Sequence, residues 1–202
     1  MLALFFDTET TGLPKYRNLP AHVRKDNWPQ PVSISWVVTD GAAIVDTKSY
    51  LIKPDGWTIP PESSKIHRIT AELATEKGVS LSKVLTEFQA DLDRCGLYVA
   101  HNMEFDKNVI SAAALYWAPG APKIRWPVKE FCTMEGSREI CKIPWPNPRP
   151  GDRYMCANLK RFYTHCFGVE PRPELLHTSL GDVQILVACF FKSWKLGDFT
   201  KG

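Results

Sequence analysis

Asp7 and Glu9 stand two residues apart where an apolar run ends, in LALFFDTETTGL over residues 2–13. If Leu2 to Phe6 form a buried strand, side chains alternate, so both carboxylates leave the chain on one side, a few ångströms apart. Two anions held that close repel each other and resist burial unless a cation neutralises them. The chemistry open to this pair is therefore metal binding through hard oxygen donors. The solvated end of a strand is the other reading, and the pair alone does not separate the two.

Two further acids carry recognisable surroundings. Asn102-x-x-Phe105-Asp106 places a carboxylate in the first turn of a helix, and His177-x4-Asp182 places another about one turn into the last helix. Taken singly, each is explained by favourable interaction with a helix N-terminus. Taken with Asp7-x-Glu9, in this order, average residue frequencies put a chance occurrence on the order of one in a thousand or less.

The elements that must position these residues follow from pattern. Residues 14–30 hold three prolines and no period, hence a loop. Residues 31–39, PVSISWVVT, alternate and run into Asp40-Gly41, a hairpin signal before AAIVDTKSYLIKP, so the acidic strand opens an antiparallel meander of three. TIPPESSKIHRIT, residues 58–70, leads into short helical turns, and His67 there reads as structural or substrate-facing rather than catalytic. Ser80 is expected to cap a helix whose buried stripe is Leu81, Val84, Leu85, Phe88 and Leu92.

LYVAHN, residues 97–102, reads as a fourth strand feeding a helix that Asn102 can cap, the kind of junction where α/β sheets bind ligands. A short fifth strand at 131–133 precedes helical MEGSREIC. The Pro-rich IPWPNPRPGD, 143–152, is a loop or extended segment, and Trp145, Arg149 and Arg153 could either stack on and pair with nucleic acid or simply cover the surface. A helix then ends at Gly168, and residues 178 to about 195 form the last helix, with Leu180, Val183, Val187, Phe190 and Trp194 facing the core.

Size and composition set the outer limits. The 202 residues are 44% hydrophobic and 23% charged, which suits one domain over 1–202 with one good core. A net charge of +3 permits a polyanionic partner without demanding one. Six cysteines without a Cys-x-x-Cys pair, no secretory leader and no apolar stretch near 20 residues point to a cytoplasmic or other reducing compartment and no membrane.

Taken together, the three motifs resemble those of the DEDDh exonucleases, a family of 3′-to-5′ nucleases in the RNase H-like superfamily. FFDTETTGL is similar to the family's first motif, VAHNMEFDKNVI to the second and HTSLGDV to the third; IPPESSKIHRIT and CTMEGSREICKIP resemble the segments between them. Arg68 stands where glycine is usual, Thr178 where a small acidic or amide residue is common, and Gly181 where alanine is common.

The resemblance implies an α/β, RNase H-like fold: a mixed five-stranded sheet with helices on both faces. It implies two divalent cations, Mg²⁺ or Mn²⁺, about 4 Å apart, held by Asp7, Glu9, Asp106 and Asp182. Asp7 would bridge both ions, Glu9 and Asp182 would serve the water-side ion, Asp106 the second ion or its waters, and His177 would be the general base. Thr8, Thr10, Thr11 and Leu13 would line the terminal-nucleotide pocket through backbone N–H groups and an apolar contact, with Asn102 and Phe105 as supports, although Asn102 reads equally well as a helix cap alone.

The implied partner is nucleic acid with a free 3′ end, single-stranded DNA first and RNA as the alternative, cut to nucleoside 5′-monophosphates. Homodimerisation and a polymerase or repair partner are both compatible with the resemblance. Two other functions fit the residues less well: a nucleic-acid-binding accessory module with little activity of its own, and an unrelated metallophosphatase.

Overall fold

The computed structural model describes residues 1–127 and 129–199. Its centre is a five-stranded sheet: β1 (Ala3–Thr10), β2 (Pro31–Thr39), β3 (Ile44–Leu51), β4 (Leu97–Ala100) and β5 (Lys129–Cys132), in the order β3-β2-β1-β4-β5. The expected meander is present, since β1, β2 and β3 pair antiparallel. Its turn is built by Asp40, whose Oδ1 accepts from the Ala42 and Ala43 N–H groups at 2.8 and 2.9 Å, and by Gly41 at φ 98°. The strands β4 and β5 run parallel to each other and to β1.

Helices cover both faces. The first three are α1 (Pro61–His67), α2 (Ala71–Lys77) and α3 (Leu81–Asp93), followed by α4 (Met103–Tyr116). After β5 come α5 (Thr133–Cys141), α6 (Leu159–Phe167) and α7 (Ser179–Ser193). Alternation along β1 decides which residue meets which layer. Leu4 and Phe6 pack with the α3 side chains Val84, Leu85 and Phe88 and with Ile110 of α4. Ala3 and Phe5 pack instead on Val183, Leu186 and Phe190 of α7. All five residues expected on the α3 stripe are buried.

Several local expectations are corrected. Strand β1 does not stop at Phe6: pairing continues through Asp7 opposite Ser35 and Glu9 opposite Ser33, so the acidic pair lies inside the ladder and the irregularity comes only between Glu9 and Thr10. Neither Ser80 nor Asn102 caps its helix by a side-chain hydrogen bond. Asn102 has φ 70°, in the left-handed region, where its side chain is not set to reach the helix N–H groups. The buried face of α7 centres on Val183, Ile185, Leu186, Cys189 and Phe190; Leu180, Val187 and Trp194 are only half-buried, because this helix meets α6 as well as the sheet. Residues 143–152 form no strand or helix, and a single antiparallel bridge, Ile143 to Met155, closes the segment.

Candidate active site

The carboxyl ends of β1 and β4 lie at one edge of the sheet because the two strands are parallel. Helices α4 and α7 both begin at that edge, on opposite faces. Asp7 and Glu9 share the α7 face with Ala3 and Phe5, and Asp182 sits in the first turn of α7. Carboxylate oxygens of Asp7, Glu9 and Asp182 lie within 4.8 Å of one another, the group of potential metal ligands found among the described residues.

The fourth acid arrives from the other face. Thr8 points away from Asp7 and Glu9, and it holds Asp106 of α4: the Thr8 backbone N–H and Oγ1 both donate to Asp106 Oδ1, at 2.9 and 2.7 Å. Asp106 is therefore not among the three tightly grouped ligands, yet its charge still reaches them. Burial, then the charges of Asp106, Asp182 and Glu9, raises the Asp7 carboxyl well above its ordinary range. Burial followed by Asp182 and Asp106 pushes Glu9 up to about 8. Burial also raises Asp106, against its hydrogen bonds from Thr8, and raises Asp182, against the His177 backbone N–H.

These shifts test whether the residues fit a cation. A set of half-buried to buried carboxylates that raise one another's pKa is costly as anions and stable once a divalent ion supplies positive charge. The donors are all carboxylate oxygens, which suits Mg²⁺ or Mn²⁺. On both counts the site fits.

Small hydroxyls bring α7 to the acidic strand. Ser33 and Ser35, cross-strand partners of Glu9 and Asp7, stand on the same face as those acids. The Ser179 hydroxyl lies 2.9 Å from Ser33 Oγ and 2.7 Å from Ser35 Oγ. Asp182 is three residues on, on the same side of the helix, so docking Ser179 delivers Asp182 to Asp7 and Glu9. Sequence reasoning passed over these serines. The signal available was two serines at alternate positions in an otherwise apolar strand, PVSISWVVT.

His177 is exposed, at φ 59°, in the turn before α7. That turn is pinned by Thr178, whose Oγ1 donates to the Leu175 carbonyl at 2.9 Å and accepts from the Gly181 N–H at 3.1 Å. Glycine is required at 181, since a Cβ there would lie 2.0 Å from the Leu175 oxygen. Two of the three departures from the family pattern thus have a local reason.

A cavity of about 280 Å³ brings together Leu13, Asn102 and Phe105, with Arg17 and Trp28 also on its wall. Trp28 stacks edge-on against Phe105 at 6.0 Å. Two of the threonine N–H groups are engaged elsewhere, which corrects the expectation that Thr8 and Thr11 offer open N–H groups. The Thr8 N–H is taken by Asp106, the Thr11 N–H donates to the Gln30 carbonyl, and the Thr10 hydroxyl donates to Gly12. Trp145 is exposed, its indole N–H bound to the Arg153 carbonyl, and no contact among the described residues ties this loop to the acidic group.

Two histidines frame the site from within. His67 is buried, its Nδ1 accepting from the Ile69 N–H at 3.1 Å; burial lowers its pKa and the Thr10 carbonyl opposes that. His101, which sequence reasoning did not single out, is pushed down to about 4 by burial and is neutral. The Ala157 carbonyl, 3.1 Å away, can only accept, so Nε2 carries the proton and Nδ1 accepts from Thr133 Oγ1 at 3.0 Å. The ring thereby ties the end of β4 to α5 and to the approach of α6.

The comparisons with known proteins agree with this geometry. Exodeoxyribonuclease 10 of Escherichia coli (strain K12) is 29% identical over 140 residues, 69% of this chain and 50% of that protein. DNA polymerase III subunit epsilon of Treponema pallidum (strain Nichols) is 34% identical over 107 residues, 53% of this chain and 43% of that one. The chain spans about half the length of the curated relatives it matches. A solved structure of exonuclease X in complex with 5′ overhanging duplex DNA superposes with a TM-score of 0.60 at 26% identity, covering 96% of this chain and 94% of that one. The sheet order and this likeness identify the fold as RNase H-like. The RNase_T family model, described as Exonuclease, matches residues 4–141, and the chain belongs to that exonuclease family.

Proposed function

We propose that this protein is a metal-dependent 3′-to-5′ exonuclease that releases nucleoside 5′-monophosphates from single-stranded DNA, with RNA as the alternative substrate. The observation that carries this reading is the meeting of Asp7, Glu9 and Asp182 within 4.8 Å, with Asp106 held behind them and an exposed His177 one turn before Asp182. Asp7, Glu9 and Asp182 would hold the cation directly, and Asp106 would complete a second position. Divalent ions there would polarise the scissile phosphate and favour hydroxide over water.

The chain's own residues do the rest. A ring nitrogen of His177 accepts the proton of the attacking water, whose oxygen bonds to phosphorus as the P–O3′ bond breaks, leaving a 5′-monophosphate and a new 3′ hydroxyl. Because His177 lies in a turn outside the helix, its imidazole is free to turn toward the water without moving Asp182. Leu13 and Phe105 give the last base an apolar wall, and Asn102 and Arg17 bring polar groups to the same cavity.

The reading is tested by incubating purified protein and Mg²⁺ or Mn²⁺ with matched DNA and RNA oligonucleotides labelled at either end. Early release of a 3′ label as mononucleotide, with the 5′ label on progressively shorter strands, is expected. Early release of the 5′ label overturns the polarity, binding without cleavage favours an accessory module, and phosphate release from free nucleotides alone favours a phosphatase.

A further inference from the structure

Four non-glycine residues have positive φ among the described residues: Arg68, Asn102, Lys142 and His177. Asn102 and His177 belong to the candidate site. Asparagine and histidine enter the left-handed region more readily than most residues, whereas arginine gains nothing local from it. Arg68, at φ 63°, ends the short helix α1, a position where glycine would carry no steric cost.

The neighbours of Arg68 fix where in the fold it lies. The His67 ring is buried and faces the Thr10 carbonyl at the end of β1. Ile69 is buried in a cluster with Val32, one residue before the Ser33 that pairs with Glu9. With both flanking side chains buried beside the carboxyl end of β1 and the start of β2, Arg68 stands exposed next to that end. It is exposed, and no ion pair or side-chain hydrogen bond engages it among the described residues.

We infer that Arg68 is a substrate-binding residue whose guanidinium takes a backbone phosphate of the nucleic-acid strand as it enters the acidic site. This rests on the proposed nuclease reading and adds a residue to it. The physical need is plain: a strand of phosphates approaching four carboxylates is repelled, and a cation on the rim offsets the repulsion. The competing explanation is a favourable charge at the C-terminus of α1, but Lys65 already occupies its last turn, and such a role would leave binding of nucleic acid untouched.

The test uses the full chain and three variants. Arg68→Lys keeps the charge, Arg68→Gln removes it while keeping a side chain in the left-handed conformation, and Arg68→Gly removes both charge and strain. Binding of a fluorescein-labelled oligo(dT) is followed by anisotropy across a salt series with metal chelated, alongside steady-state hydrolysis. Arg68→Gln and Arg68→Gly are expected to weaken binding several-fold, to reduce the slope of log affinity against log salt by about 1, and to raise KM with kcat held. Arg68→Lys should retain the slope, and Arg68→Gly should melt higher than Arg68→Gln.

An unchanged salt slope in Arg68→Gln and Arg68→Gly overturns the inference, as does failure of the wild-type protein to bind the oligonucleotide. Wild-type binding without hydrolysis would instead remove the nuclease reading, leaving the role of Arg68 to be read from binding alone.

Discussion

Two clusters of carboxylates in this molecule have opposite electrostatics. On the α3 side, Asp46, Glu87 and Asp91 meet Lys48 and Arg94: Lys48 Nζ lies 2.9 Å from Asp91 and 3.6 Å from Glu87, and Arg94 lies 2.9 Å from Asp91 and 3.2 Å from Asp46. Burial pushes Asp91 upward, but the Trp36 indole N–H, 2.7 Å away, together with Lys48 and Arg94 holds it below its ordinary value. At the sheet edge, Asp7, Glu9, Asp106 and Asp182 are raised together. No lysine or arginine ion pair reaches those four among the described residues. The first cluster brings its own cations and is structural. The second has no side-chain cation among the described residues, which suits the divalent ions proposed for it.

The sharpest way to break that comparison is Asp7→Ala, which should lower hydrolysis of a 3′-labelled oligonucleotide more than about a thousand-fold while the folded circular dichroism spectrum is kept. Full digestion by the variant would remove the acidic edge as the reaction centre. His177→Ala should cost about a hundred- to ten-thousand-fold in kcat, and because it offers no carboxylate, the metal-dependent rise in melting temperature should survive. Loss of that rise would make His177 part of the cation site instead.

Glu9→Gln separates the two clusters by stability. A carboxyl whose folded pKa is raised from 4.5 to about 8 contributes stability that is fully present below pH 4.5 and is lost as pH rises toward 8. The metal-free protein should therefore lose stability across that window, Glu9→Gln should flatten the loss and melt higher, and Mg²⁺ or Mn²⁺ should restore wild type more than the variant. A flat pH profile of the metal-free protein would contradict the repulsion at this edge.

The smallest effect belongs to the self-neutralised cluster. Lys48→Ala leaves Asp91 with Arg94 and should cost about 1 kcal/mol, a fall of roughly 2–4 °C in melting temperature for a chain of this size, with hydrolysis and the response to chelator unchanged. Reduced hydrolysis in this variant would show that the two regions are coupled.

Much of the site was legible in order along the chain. Asp7-x-Glu9, Asn102-x-x-Phe105-Asp106 and His177-x4-Asp182 could be read because strand alternation and helix first turns are local rules, and the meander and the α3 stripe followed from the same periodicities. Caps were read less well: Ser80 and Asn102 have the right chemistry, but whether a side chain turns back onto its helix depends on backbone angles that the surroundings impose. The roles of the serines that dock α7 and of the half-buried His101 were not legible for a related reason, since a hydroxyl or imidazole declares its partner only when another element is beside it.

By itself, then, the sequence determined which carboxylates are candidates for binding cations, which strand carries two of them and which helices present the others, because these depend on neighbours within a few positions. Only the tertiary structure decided that Asp182 joins Asp7 and Glu9 while Asp106 is held by Thr8 on the far face, that the Thr8 and Thr11 N–H groups are already taken, and that Arg68 stands exposed beside the strand end. Those outcomes depend on which side of one sheet each helix packs, a contact that joins residues of the first strand to residues of the last α-helix.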